Sequence, residues 1–473
     1  MNKQNKVAFF NILSTLLLRG LSIITAPLFS RMLGDDGYGI VSVYMVWVNA
    51  LQIAFTLQTY KTLVNARMEY PEAEQNRFQS SVLGLSIAFF TVCALVMLLF
   101  LEPVSKLLKL PRLIVVLMLV HVLSGYCVNF INTKFTYEFR ADLNCLLSVT
   151  VAVLTMVLSL LFILNMPPEM DYYGRILALV VTNVLVGFAA GGYVLVKGKC
   201  VYNRAYWKFC IPLALPLVFY SLSDLLLGYT DRLMLQHMMD ASAVGQYSLA
   251  YSFGNIMFTI FGALNNTWVP FFFEDYKQGN QKHIHGQAKN YLELFTILSM
   301  GFVLLTPEVY HVFAGREFWP GTDLVPIFVT SFFLNFLCTF PVNIEYYHKK
   351  TKAVAVITIT ASVVNIALNY LLISRYQAFG AAVSTALAHG LQLTLHHLYA
   401  RFRLEPKTYP FPTKLWAGYA LAFFSALALF YLVPDGWWLR WGLGAVLGLW
   451  ELYSIRKRKV LILKFFERSR RKQ

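Results

Sequence analysis

Residues 10–30 read FNILSTLLLRGLSIITAPLFS, a run in which Arg19 is the single charged side chain. A helix of about 20 mostly apolar residues is long enough to span the hydrocarbon core of a bilayer. The run is longer than the apolar region of a signal peptide, and it has no clear A-x-A cleavage site. We therefore interpret it as an uncleaved first transmembrane helix.

The composition of the whole chain extends this interpretation. Of its 473 residues, 58% are hydrophobic and only 14% are charged, against about 25% charged residues in an average soluble domain. These values exclude a soluble globular protein and a disordered chain. The net charge of +16 is interpreted as basic loops retained on the cytoplasmic side, not as a nucleic-acid-binding surface.

Fourteen segments are long and apolar enough to be candidate transmembrane helices. Their approximate limits are 7–31, 38–59, 80–101, 112–133, 143–165, 174–196, 209–231, 246–273, 291–314, 324–347, 353–373, 379–400, 415–433 and 437–455. With the N-terminus inside, the inner connections and ends hold 30 of the 40 Lys and Arg residues, and the outer connections hold nine. Because positive residues concentrate on the cytoplasmic side, both termini are predicted to be cytoplasmic, including the basic tail 456–473.

An internal repeat is indicated by landmarks that recur at an offset of 206 residues. The equivalent pairs include Gly39 and Gly245, Asn49 and Asn255, and Asn129 and Asn335. The same offset aligns spans 1–6 with spans 7–12, which predicts two parallel repeats related by an axis along the membrane normal. We predict an N-lobe over 1–200, a C-lobe over 201–405, and two further helices with the basic tail over 406–473.

The candidate functional residues begin with charges inside the spans, which are costly in a membrane and seldom idle. Asn11, Thr15, Arg19 and Ser22 follow helical spacing and share one face of span 1. Asp224, in span 7, lies 205 residues after Arg19 and is predicted to face the same cavity. The alternative is a structural ion pair that only joins the lobes.

Further candidates are amides on polar stripes of other spans, and carboxylates suited to bind a coupling ion. The cavity candidates are Arg19, Asn49, Asp224, Asn255, Asn266, Asn365 and Asn369, and the coupling candidates are Asp224 and Asp231. For any single residue of a stripe we favour interhelical hydrogen bonding, whereas stripes on this many helices together indicate a hydrated lumen. The intramembrane histidines, among them His121, His389, His396 and His397, either take part in proton coupling or are packed and neutral; we favour the second.

Catalytic and cofactor motifs are missing from the sequence. There is no G-x-x-x-x-G-K-[ST], no H-E-x-x-H and no G-x-S-x-G, and the cysteines form no C-x-x-C pair. The outer connections are short, which counts against a membrane glycosyltransferase or polymerase. We expect a transporter without a cofactor or a metal site.

Several stretches resemble a known family. They are PLFSRMLG at 27–34, VGQYSLAY at 244–251, NIALNYLLI at 365–373 and FGAAVSTA at 379–386. Their order and spacing over the whole chain resemble the polysaccharide biosynthesis, or oligosaccharide flippase, family. This family belongs to the multidrug/oligosaccharidyl-lipid/polysaccharide exporter superfamily.

The resemblance implies an all-α membrane protein with two six-helix lobes in a V-shaped arrangement and two C-terminal helices. It also implies a flippase of the bacterial cytoplasmic membrane for undecaprenyl-diphosphate-linked oligosaccharides, which feed capsule, exopolysaccharide or O-antigen assembly. Glycosyltransferases and a polymerase of the same pathway are the implied partners, and Arg19 is the implied diphosphate-binding residue. The lipid II branch carries several arginines in its N-lobe cavity, whereas only Arg19 is clearly intramembrane here.

Three other functions stay open at this point. A cation-coupled multidrug exporter of the same superfamily would have an acidic cavity, which the lone Arg19 opposes. A membrane polymerase or ligase would act on chain length and not on export. A scaffold that recruits glycan enzymes through the tail 456–473 is a further possibility.

Overall fold

A computed structural model of the chain describes residues 3–406, 408–411 and 413–458, and the basic tail from 459 onward lies outside these residues. All regular structure in the described part is helical, as predicted. The helices are α1 Lys3–Thr56, α2 Leu63–Glu69, α3 Glu72–Leu99, α4 Leu101–Leu108, α5 Arg112–Tyr137, α6 Ala141–Leu164, α7 Asp171–Gly198, α8 Arg204–Met238, α9 Ala241–Lys277, α10 Gln281–Phe313, α11 Leu324–Tyr347, α12 Thr351–Tyr399, α13 Thr413–Leu432 and α14 Trp437–Arg458.

Eleven helical segments among the described residues are long and apolar enough to cross a membrane. Two of them correspond to pairs of predicted spans. α1 has 54 residues and α12 has 49, so either would be over 70 Å long if it were straight, against a hydrocarbon core of about 30 Å. Each is interrupted near its middle, α1 at Gly34 and α12 at Gln377. The all-helical membrane fold is confirmed, and the count of fourteen spans stays a prediction.

The two interruptions differ in their local chemistry. Gly34 has φ 64° and ψ 178°, a conformation that glycine adopts without steric cost because it has no Cβ. Gln377 has φ 53°, in the left-handed region that costs an ordinary residue about 1–2 kcal/mol. The surrounding helices must supply this free energy, so the break in α12 is maintained by packing and not by local preference.

The described chain divides into two compact units, with the boundary after Gly245. The core of the first unit lies between the second half of α1 and helices α3, α5 and α7, with Tyr44, Met118, Val122 and Ile176 at its centre. Small residues allow close approach here: Gly187 of α7 lies directly against the backbone of α5. Such close packing is the main source of helix association in a membrane, where apolar burial gives little.

A second close crossing in the first unit joins α1 to the beginning of α9. A Cβ at Gly39 would lie 1.8 Å from the carbonyl oxygen of Ala241, and a Cβ at Gly245 would lie 1.9 Å from that of Asp35. The Oγ of Ser242 also donates a hydrogen bond to the carboxylate of Asp35. The offset of 206 equates Gly39 with Gly245, and it also equates their contacts. Gly39 packs against Ala241, and Gly245 packs against Asp35, the residue equivalent to Ala241.

The second unit has an aromatic core between α10, α11 and α13. The ring centroids of Phe295 and Phe336 are 4.3 Å apart, and those of Phe333 and Phe423 are also 4.3 Å apart. Pairs of this kind contribute about 0.5–1.5 kcal/mol each beyond the area they bury. The predicted lobes, with boundaries at residues 200 and 405, rest on the repeat in the sequence and not on contacts. This division stays a prediction.

Candidate functional site

The polar stripe of α1 lies on one face of the helix, as its spacing predicts, and this face is exposed. Asn11, Thr15, Arg19 and Ser22 are all exposed. The Oγ1 of Thr15 donates to the carbonyl of Asn11 at 2.8 Å, and the Oγ of Ser22 donates to the carbonyl of Arg19 at 2.8 Å. The two hydroxyl groups are therefore satisfied by their own helix, which leaves the guanidinium as the principal polar group of the stripe.

Arg19 offers five N–H donors in a planar fork. No side chain in the described part of the chain accepts a hydrogen bond from it or forms an ion pair with it. A cation at the bilayer centre costs about 2.5–3.5 kcal/mol on insertion scales, and such a group normally faces water or an anion. Its fork matches the paired oxygens of a phosphate or a carboxylate.

The two predicted carboxylates lie on α8. Asp231 is buried, with 8% of its surface exposed, and the neighbouring Arg232 is stacked 5.1 Å from the ring centroid of Tyr229. The backbone of Asp224 lies within α8, but its side chain falls outside the described part of the structure. The pairing of Arg19 with Asp224 and the coupling role of Asp231 stay predictions.

A second cation of the first unit was not singled out from the sequence. The Nζ of Lys61 donates to the Oγ of Ser221 on α8 at 2.7 Å, and that hydroxyl donates to the Oε1 of Gln58 at 2.9 Å. Lys61 lies just beyond the predicted end of span 2, where the charge counted as an ordinary inner loop residue. Ser221 lies one helical turn before Asp224, so the polar face of α8 extends to this lysine.

The asparagines of spans 2 and 8 remain accessible. Asn49 on α1 and Asn255 on α9, which the offset of 206 equates, are both half-buried. Asn266, three turns further along α9, is exposed. The Oγ1 of Thr259 donates to the backbone carbonyl of Asn255 at 3.1 Å, so this contact does not involve the side-chain amide of Asn255.

The asparagines of span 11 are involved in packing within α12. The Nδ2 of Asn365 donates to the Oγ1 of Thr385 at 3.4 Å, and the Nδ2 of Asn369 donates to the Oδ1 of Asn365 at 3.3 Å. Ser384 also donates to the Oδ1 of Asn369, which is fully buried. These contacts connect the two halves of α12 across its break at Gln377, as the alternative of interhelical hydrogen bonding describes.

Two intramembrane histidines are packed against neutral groups. His121 has its Nδ1 2.9 Å from the Tyr44 hydroxyl and its Nε2 3.1 Å from the Nδ2 of Asn183. His389 has its Nδ1 3.1 Å from the carbonyl oxygen of Ser331. These contacts fit the packed, neutral role that we favour for them.

Three carboxylates in the second unit were also missed, of which Glu293 and Glu345 are buried and Glu308 is half-buried. Both oxygens of Glu293 on α10 accept hydrogen bonds, from Tyr419 at 3.2 Å and from Ser454 at 3.2 Å. Glu308, also on α10, pairs with Arg440 of α14 at 2.6 Å. The third, Glu345, pairs with His396 at 2.8 Å. Each acid lies near the end of an apolar run, where a sequence alone does not separate a loop charge from a buried one.

Three comparisons place this architecture among known proteins. The fold matches the lipid II flippase MurJ in an inward closed conformation over 96% of this chain and 100% of that chain, with a TM-score of 0.71 and 16% identity. It matches an inward-facing multidrug resistance MATE family transporter of the MOP superfamily over 82% of this chain and 94% of that chain, with a TM-score of 0.60 and 14% identity. In sequence, the chain is 22% identical over 363 residues to the Lsg locus putative protein 1 of Haemophilus influenzae, which covers 72% of this chain and 84% of that protein.

The chain is therefore a multi-pass helical membrane protein whose fold is similar to those of MurJ and of this MATE transporter. The model of the polysaccharide biosynthesis protein family matches residues 5–275, more than half of the chain. The protein belongs to this family, which confirms the resemblance found in the sequence.

Proposed function

We propose that this protein is a flippase that moves undecaprenyl-diphosphate-linked oligosaccharide units across the bacterial cytoplasmic membrane by alternating access. The units supply the assembly of capsule, exopolysaccharide or O-antigen, through glycosyltransferases and a polymerase of the same pathway. Both termini are cytoplasmic in this proposal. The lipid chain of the substrate remains in the bilayer while its diphosphate and sugars pass through the protein.

The observation that carries the proposal is the exposed guanidinium of Arg19 on a polar face of α1. The described residues supply no anionic partner, so an anion from the substrate or from solution is the natural ligand. A diphosphate offers several oxygens at the spacing of the guanidinium fork, and a charge-assisted pair of this kind is about twice as strong as a neutral hydrogen bond. A cationic drug would instead be repelled by this group.

The surrounding polar groups support a sugar-containing substrate. Asn49, Asn255 and Asn266 present amides that donate to and accept from hydroxyl groups. Lys61 adds a second positive charge in the first unit, next to α8. The family and the fold agree with this proposal, since the solved structure with a TM-score of 0.71 is that of a lipid II flippase.

The decisive experiment measures on which face of the membrane the lipid-linked oligosaccharide lies in cells depleted of the protein. The glycan is labelled from outside in right-side-out vesicles, and the signal is compared with that of lysed vesicles. We expect labelled units to accumulate on the inner face only. Complementation with Arg19→Ala should leave them there, whereas Thr15→Ala is the matched control on the same stripe and should restore export.

The other outcomes identify the alternatives. If the units reach the outer face and remain unpolymerised, the protein is a polymerase or ligase and the flippase proposal is wrong. If the glycan pools are unchanged and overexpression gives drug resistance, a cation-coupled multidrug exporter is the better explanation. Full export by Arg19→Ala would refute the role of the guanidinium even if the protein were a flippase.

A further inference from the structure

A carboxylate and an imidazole form an isolated pair inside the second unit. Glu345 lies near the end of α11, His396 lies near the end of α12, and the Oε1 of Glu345 is 2.8 Å from the Nδ1 of His396. Both side chains are completely buried, with 0% of their surface exposed. The pair therefore connects the ends of two membrane helices without direct contact with solvent.

The remaining polar atoms of this pair have no hydrogen-bonding partner among the described residues. These atoms are the Oε2 of Glu345 and the Nε2 of His396. A buried ion pair that serves only stability needs hydrogen bonds to its remaining atoms to offset the cost of desolvation. Glu293 meets this condition on both oxygens, and so does the ammonium of Lys134, which reaches Asn76, Gln79 and Glu138.

The charge of the pair depends on a single proton. With Glu345 ionised and His396 neutral, the pair carries one net negative charge in a region without water contact. Uptake of one proton, shared along the line between Oε1 and Nδ1, makes the pair neutral overall. An uncompensated buried charge is strongly unfavourable, and uptake of one proton removes the net charge from this fully buried site.

The other titratable groups around the pair come from four segments: α11, α12, the turn that follows α12, and the stretch beyond that turn. Cys338 lies two turns before Glu345 on α11, and Tyr409 follows α12; both are close enough to interact with the charge of Glu345. The hydroxyl of Tyr409 is 3.0 Å from the Nδ1 of His397. The guanidinium of Arg401 lies 5.6 Å from the centre of the Tyr409 ring. Arg401 belongs to a π-helical turn, Ala400–Leu404, that directly follows α12.

A second carboxylate–imidazole pair lies at the surface near the buried one. The Nε2 of His348 is 2.8 Å from the Oε1 of Glu405, and one third of the His348 side chain is exposed. The hydroxyl of Tyr276 also donates to Glu405. His348 follows Glu345 by three residues, about one helical turn, so the surface pair is suited to exchange protons between solvent and the interior.

We infer that Glu345 and His396 form a proton-binding site of the second unit, loaded through the surface pair of His348 and Glu405. The bound proton comes from water and returns to it, and the net charge of the pair changes from −1 to zero. Proton binding strengthens the link between the ends of α11 and α12, because it adds a positive charge or a donor opposite the carboxylate. This inference goes beyond the proposed function and needs no substrate for its test.

The test is a difference titration of the purified full-length protein in detergent. Net proton uptake is measured over the pH range in which the protein remains monodisperse, for the wild type and for Glu345→Gln/His396→Gln. The double variant keeps hydrogen-bonding side chains of similar size but has no ionisable group at the site. We subtract the net charge of the double variant from that of the wild type. As the pH falls, this difference should pass from −1 to zero in a single step, because one proton binds.

Two results would overturn the inference. A difference that stays at −1 shows that the pair binds no proton in this range, and a difference that stays at zero shows a permanent, purely structural ion pair. If the double variant does not stay monodisperse, Glu345→Gln alone should give the same step, because it removes the carboxylate of the pair. His121→Gln is the control, since this buried histidine has no carboxylate partner and its removal should leave the curve unchanged.

Discussion

Replacing Gly39 by alanine tests the crossing of α1 and α9 in the first unit. The added Cβ would lie 1.8 Å from the carbonyl oxygen of Ala241, whereas an ordinary contact of this kind is at 3.4 Å or more. The nearest atoms, in the carbonyl of Ala241 and the amide nitrogen of Gly245, belong to the backbone of α9. No flexible side chain can therefore move away to make room. The two helices would have to separate by about 1.5 Å, at the point where they are most closely packed.

The expected loss of stability can be estimated from three contributions. Overpacking of a tight interface costs about 1–3 kcal/mol. Separation of the helices also weakens the hydrogen bond from Ser242 to the carboxylate of Asp35, worth about 1.5 kcal/mol. The higher helix propensity of alanine returns roughly 0.5–1 kcal/mol. The free energy of unfolding should therefore fall by about 2–3 kcal/mol.

Thermal unfolding of the purified protein in detergent gives the measurement. Gly192→Ala on α7 is the matched control, because no atom lies within 4 Å of the Cβ it would gain. Gly39→Ala should lower the Tm by roughly 5 °C, and Gly192→Ala should leave it unchanged or raise it. Gly245→Ala should lower the Tm as Gly39→Ala does. The double variant should lose less Tm than the sum of the two single losses, since both substitutions disrupt the same contact. An unchanged or higher Tm for Gly39→Ala would show that the crossing is not closely packed.

Three further predictions concern single charged groups. Arg19→Lys should retain only part of the export activity in the vesicle assay, because an ammonium is a point charge without the bidentate fork; equal export would contradict phosphate recognition by this group. Arg440→Leu should destabilise the protein by about 1–3 kcal/mol, since it leaves the half-buried Glu308 without its partner on α14, and a Tm equal to that of the wild type would oppose this. The third concerns Glu405. Burial raises its pKa, but hydrogen bonds from Thr408, Tyr276 and His348 outweigh this, and the pKa lies below its ordinary value of 4.5. The stabilisation is therefore present above pH 4.5 and is lost as the pH falls through the lowered pKa, so the stability difference between wild type and Glu405→Gln should shrink on acidification.

The sequence predicts most of the fold because membrane helices leave a strong local pattern. Long apolar runs, basic inner connections and the offset of 206 residues are each visible without any tertiary information. The offset alone predicts that Gly39 and Gly245 are equivalent, and the structure places them against each other. The breaks at Gly34 and Gln377 are less predictable: a glycine in a turn is an ordinary signal, whereas the left-handed conformation of Gln377 depends on packing from elsewhere in the chain.

The candidate site was predictable only where one residue stands out from its own helix. Arg19 is such a case, since a single charge within 20 apolar residues is conspicuous whatever surrounds it. Lys61 is not, because it lies where a span passes into a basic connection, and only the contact with Ser221 on α8 distinguishes it from its neighbours. A charge at the end of a span is ambiguous in sequence, and tertiary packing decides its role.

The same reasoning explains why the pair of Glu345 and His396 could not be predicted. The sequence does not single out Glu345, an acid at the end of α11, and His396 is one of several intramembrane histidines that its local sequence does not separate from the adjacent His397. Their chemistry arises from being 2.8 Å apart and completely buried, although the two residues are 51 positions apart in the chain; the packing of α11 against α12 sets this distance. Spacing rules detect partners three or four residues apart, so they find the stripe of α1 but not a pair of this kind. Charged groups that control a membrane protein through long-range pairing must therefore be sought in the structure, where the ends of packed helices bring them together.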